Sequence, residues 1–130
     1  MNIKDEVISV LEEKENMAAW SEEEYRAFDE LRKEYENMNE DEWIAFQERL
    51  NKEVEKIYSD LISIRDLSEN QISNELKEEI KRIVRSYLIE LSVLHDFNDT
   101  YRKELFCTDS VSESFNCSID ETLTEHGIQI

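Results

Sequence analysis

Apolar residues recur at steps of three and four along almost the whole chain, the pattern of amphipathic helices that each bury one face. Strand-like alternation is absent. A first helix is predicted over roughly Lys4 to Ala19, burying Ile3, Val7, Val10 and Leu11, with Asn2 as its N-cap. A second should begin at Ser21, where Ser21 and Glu24 form a capping box and Trp20 can staple to Tyr25. Its buried stripe reads Tyr25, Phe28, Leu31, Tyr35 and Met38. Asn39 with Glu42 repeats the device, so a third helix should start at Glu40. Its seam of Trp43, Phe46, Leu50, Val54, Ile57, Leu61 and Ile64 keeps close to a bundle period.

Ser68 with Gln71 predicts the opening of a fourth helix, whose face continues through Ile72, Leu76, Ile80, Val84, Tyr87, Leu91, Leu94, Phe97, Tyr101 and Leu105. Unbroken from Glu69 to Phe106 it would be ~57 Å long. A break is expected over Asp96 to Thr100, where Asp, Asn, Asp and Thr are poor helix formers. Beyond Phe106 the chain turns polar and holds no Lys or Arg, which predicts a surface tail over 107–130. One short helix over 119–126 is expected in it, with Ser118 and Glu121 as capping box and Gly127 as the left-handed residue of a Schellman ending. The fold expected is therefore all-α: an elongated helical bundle of about four principal helices over 1–106, followed by an acidic C-terminal tail over 107–130.

Composition sharpens this picture. The 130 residues include no proline and one glycine, so the residues that punctuate turns and strand ends are missing. No run reaches the ~20 apolar residues needed to span a bilayer, and no basic region followed by an apolar stretch opens the chain. A cytoplasmic location is expected, with Cys107 and Cys117 as reduced thiols.

Catalytic and cofactor chemistry finds no foothold. Helical metal sites use patterns such as Glu-x-x-His, which do not occur here. Cys107 and Cys117 lack zinc-pair spacing, and one glycine cannot make a phosphate-cradling loop. His95 reads as a partly buried structural residue and His126 as a cation suited to a helix C-terminus. Acidic pairs such as Glu12 with Glu13 sit off the apolar stripes, on faces open to water and not in a pocket. The expectation is a protein that is not an enzyme and takes no cofactor or metal.

Charge carries the remaining information. Thirty-three acidic residues face 15 basic ones, a formal charge of −18. Residues 1–42 hold 15 acids and five bases, whereas 43–106 hold 13 and 10. The second helix concentrates the excess: Glu22, Glu23, Asp29, Glu30, Glu34 and Glu36, followed by Glu40 and Asp41, against Arg26, Arg32 and Lys33. Carboxylates four residues apart stand ~6 Å apart along a helix, a spacing comparable to that of neighbouring phosphates on one nucleic-acid strand. Such a chain is repelled by nucleic acid and by anionic membranes, so the partner expected is a basic protein, a nuclease or a toxin. In composition, size and helicity the chain resembles the acidic nucleic-acid mimics that act against restriction or CRISPR nucleases, and the immunity proteins that block basic toxins. The resemblance implies an inhibitor, and the concentration of charge makes those eight carboxylates its expected partner-binding residues. The alternative is a coiled-coil adaptor or assembly protein that forms homodimers through its long seams.

Overall fold

The computed structural model describes residues 2–128. Among them the chain is all-α, with helices α1 (Ile3–Glu15), α2 (Glu22–Asn37), α3 (Glu40–Ile64), α4 (Asn74–Tyr101) and α5 (Asp109–Glu125). A 3-10 turn at Glu69–Gln71 precedes α4, and no strand is present among the described residues. Among the described residues no helix is long and apolar enough to cross a membrane.

The caps read from sequence place most helix starts. The Asn2 side chain accepts from the Asp5 N–H at 2.9 Å. Ser21 and Glu24 close a reciprocal capping box, which holds the Glu24 carboxyl below the usual carboxylate range. Asn39 accepts from the Glu42 N–H at 2.9 Å while Glu42 accepts from the Asn39 N–H at 3.3 Å. The same device at Ser68 and Gln71 forms, but it closes only the 3-10 turn. The fourth helix instead starts at Asn74, with the Ser73 hydroxyl accepting from the Leu76 N–H at 3.1 Å. A capping box satisfies orphan donors without supplying the propagation that a helix needs.

The chain divides into two compact units. One comprises the chain up to Gln47 together with Ile89–Thr108; the other comprises Glu48–Leu88 together with the chain from Asp109 onward.

In the first unit, α1, α2, the start of α3 and the latter part of α4 bury Leu11, Phe28, Leu31, Trp43, Val93, Leu94 and Phe97. Aromatic rings fill its centre. Phe28 lies 4.4 Å from Phe97 between ring centroids, Phe97 5.3 Å from Phe106, and Trp20 5.6 Å from Phe28. Trp20 also ends α1, because its indole N–H donates to the Glu15 carbonyl at 2.9 Å and the Lys14 carbonyl at 3.2 Å. Those carbonyls have no partner within the helix. Lys14 pairs with Glu90 at 2.7 Å, and Arg32 pairs with Glu15 and with Asp29.

The break expected over Asp96 to Thr100 lies further on. Those residues stay helical through Tyr101, and the chain turns at Arg102, whose φ of 64° is left-handed. Asn98 explains why the poor helix formers are kept. Its Oδ1 accepts from the Leu105 N–H at 3.0 Å and the Phe106 N–H at 3.2 Å, and its Nδ2 donates to the Phe106 carbonyl at 3.1 Å. One side chain thus ties the turn back onto α4 and seats Phe106 among the rings. Asn98→Ala removes all three bonds and leaves half-buried backbone groups unpaired. The expected loss is about 2 kcal/mol of first-unit stability, read as a lower urea midpoint for tryptophan fluorescence. Trp20 and Trp43 both belong to that unit.

In the second unit, the rest of α3, the first part of α4 and α5 share a core of Val54, Tyr58, Leu61, Ile62, Leu76, Ile80, Val84, Phe115, Ile119 and Leu123. This differs from the surface tail expected over 107–130. The helix starts ten residues before the short one expected at 119–126, and it runs from Asp109 to Glu125. Phe115, Ile119 and Leu123 recur at four-residue steps and form a buried face. The polar residues between them had masked that face. Phe115 stacks on Tyr87 at 4.1 Å, Arg65 reaches Asp120 at 2.9 Å, and Tyr87 shares a 2.9 Å hydrogen bond with Ser112. The Schellman ending forms as the sequence suggests: Gly127 has a φ of 78°, and the Ile128 N–H donates to the Leu123 carbonyl at 3.0 Å. The end of α3 uses the same geometry without glycine, with Asp66 at a φ of 53°.

Candidate acidic face on the first unit

The eight carboxylates singled out in the sequence are all exposed: Glu22, Glu23, Asp29, Glu30, Glu34 and Glu36 on α2, and Glu40 and Asp41 in the first turn of α3. They do not form one surface of equal quality. Asp29 is partly neutralised by Arg32 at 3.0 Å. Glu40 and Asp41 sit where the helix dipole favours negative charge. Glu34 and Glu36 stand in the last turn of α2, which has no basic residue and where the dipole disfavours them.

At about 100° per residue, Glu23, Glu30 and Glu34 fall within ~40° of one another on α2. That edge borders the buried face at Ala27 and Leu31. It faces α4. Glu30 and Glu34 line a groove of about 380 Å³ with Asp96, Asp99, Thr100 and Arg102, so four carboxylates meet one guanidinium. Asp99 too lies in the last turn of its helix, again with no basic residue beside it in that turn. A neighbouring hollow of about 470 Å³, lined by His95, Asp99, Arg102 and Lys103 among others, is mixed in sign.

The groove has a polar floor. Tyr35 is buried, and its hydroxyl donates to Asp96 Oδ2 at 2.8 Å. Burial and then the Asp96 charge push the Tyr35 phenol far above its usual range. Burial likewise raises the Asp96 carboxyl, and the nearby Asp99 charge adds to this; the Tyr35 hydrogen bond and His95 oppose it.

Sequence reasoning placed the α2 carboxylates but missed Asp96 and Asp99, which it had taken only as helix-weakening residues. One signal was present for Asp99: an acid in the last turn of a helix opposes its dipole. Two further expectations change. Tyr25, assigned to the buried stripe of α2, is 40% exposed, and His95 is exposed rather than partly buried. Cys107 and Cys117 are exposed, and His126 meets Glu79 at 2.9 Å. Among the described residues, no group of three or more His, Cys, Asp and Glu could hold a metal ion. No family model matches the sequence, and no curated protein and no solved structure matches it.

Proposed function

We propose that this chain is an inhibitory binding protein that docks a basic protein, of the nuclease or toxin kind, on the acidic edge of α2 and the end of α4. The observation that carries the reading is the groove in which Glu30 and Glu34 meet Asp96 and Asp99 across a single arginine. Acids at Glu34, Glu36 and Asp99 each cost about 0.3 to 1 kcal/mol against the helix dipoles, so they work against the fold that presents them. A surface built for Lys and Arg is complementary to them, and the binding expected is electrostatic, fast and sensitive to salt. Exposed carboxylates at helical spacing can then stand in for phosphates on a partner that normally grips nucleic acid.

Replacing Glu23, Glu30 and Glu34 by Gln keeps shape and helix propensity and removes three charges from one edge. The triple variant is expected to fold like the wild type and to bind a captured basic partner about tenfold more weakly at low salt, mostly through slower association. A control carrying Glu48→Gln and Glu78→Gln changes exposed acids of the other unit and should bind nearly as wild type. Equal affinity and equal salt dependence for the two variants would reduce the acidic edge to solvated surface. A salt-insensitive homodimer with no affinity for basic proteins would favour assembly through the helix seams.

A further inference from the structure

The contact between Tyr35 and Asp96 offers more than a fixed hydrogen bond. Tyr35 is 5% exposed and comes from α2; Asp96 is half-buried and comes from α4. Their 2.8 Å bond joins the two helices beneath the groove. Around Asp96 stand Glu30 and Glu34 from α2, with Asp99, His95 and Arg102 from α4 and the turn that follows it. Partial desolvation and the Asp99 charge oppose a negative charge on Asp96, while the tyrosine donor and His95 favour it. The tyrosine bond outlasts protonation, because a neutral carboxyl still has an oxygen that can accept from the Tyr35 hydroxyl.

We propose that Asp96 is an acid-responsive site between α2 and α4: taking up a proton stabilises the first unit by removing a half-buried negative charge from among Glu30, Glu34 and Asp99, while the Tyr35 hydrogen bond joins the two helices in both states. The sign follows from linkage. Asp96 holds its proton more firmly in the folded unit than in the unfolded chain, as burial and Asp99 dictate. Between the unfolded and folded values the native state binds more protons, so stability falls as pH rises through that window. The contribution of Asp96 is largest below the ordinary aspartate range. This is the reverse of an ordinary salt-bridged carboxylate.

The test follows urea unfolding by tryptophan fluorescence, which reports the first unit, across mildly acidic to neutral pH. The wild-type midpoint should fall as pH rises, and Asp96→Asn should flatten that fall and hold the higher midpoint at neutral pH. Glu36→Gln removes one exposed charge from the same helix and should leave the slope in place, which separates the pair from the general repulsion of an acidic chain. Tyr35→Phe removes the donor that favours the ionised form, so the fall should extend to higher pH. An NMR titration of the Asp96 side-chain carboxyl in the wild type stands even where a variant does not fold. It should give a midpoint above the ordinary aspartate range. A midpoint at or below that range, or an unchanged slope in a folded Asp96→Asn protein, would overturn the proposal.

Discussion

Truncation after Phe106 is expected to unfold the second unit, and the helical signal lost should exceed the share that α5 itself contributes. The helix α5 supplies Phe115, Ile119 and Leu123 to the core formed with Val54, Leu61, Leu76, Ile80 and Val84. Each buried side chain of that kind is worth about 2 to 5 kcal/mol on truncation to Ala. Three together reach the ~5 to 15 kcal/mol that holds a typical small domain. Removing the helix also uncovers Tyr87, which stacks on Phe115, and leaves Arg65 without Asp120. Circular dichroism of the two chains, with tyrosine fluorescence following Tyr58 and Tyr87, makes the measurement. A loss limited to the 17 residues of α5, with unfolding still cooperative, would show that the helix only rests on a core complete without it.

Phe97→Ala is expected to cost about 3 to 5 kcal/mol. Phe97 is fully buried, and its ring meets Phe28, Tyr101 and Phe106 within 4.4 to 5.7 Å between centroids. Its loss leaves a cavity among large rings whose backbones are held by the Asn98 ties and the Trp20 cap, so little collapse can offset it. A urea titration read by tryptophan fluorescence gives the value. Leu91→Ala serves as contrast, since Leu91 is only half-buried and should cost markedly less. Equal losses at the two positions would mean that α4 buries a different face from the one described.

That contrast shows where sequence reading stopped. The seam predicted for the fourth helix passes Val84, Tyr87, Leu91 and Leu94 in even steps. Leu94 and Phe97 are buried as that seam predicts, but Tyr87 and Leu91 are only half-buried, and Ile89 and Val93, which lie off it, are buried. An ideal helix drifts ~20° per heptad against a strict seven-residue repeat, so one apolar stripe cannot stay on one face over 28 residues. The change falls where α4 passes from one compact unit to the other. Ile64, at the end of the predicted α3 seam, is 79% exposed for a related reason, since the helix ends there and the chain turns at Asp66.

What the sequence by itself determined is what depends on residues within one turn of each other. Caps at Asn2, Ser21 and Asn39 and the Schellman turn at Gly127 are set by local hydrogen bonds and formed where expected, and helical period placed Ile3, Val7 and Leu11 of α1 and Phe28, Leu31 and Tyr35 of α2 in the core. The exposed carboxylates of α2 belong to the same class, because an acid off the apolar stripe faces water. The tertiary structure decided whatever depends on a partner distant in sequence. It placed Asp96 and Asp99 across a groove from Glu30 and Glu34, bonded the half-buried Asp96 to Tyr35, and left Tyr25 outside. It also drew 109–125 into a core, because three apolar residues on a polar helix become a buried face only when α3 and α4 present a surface to receive them.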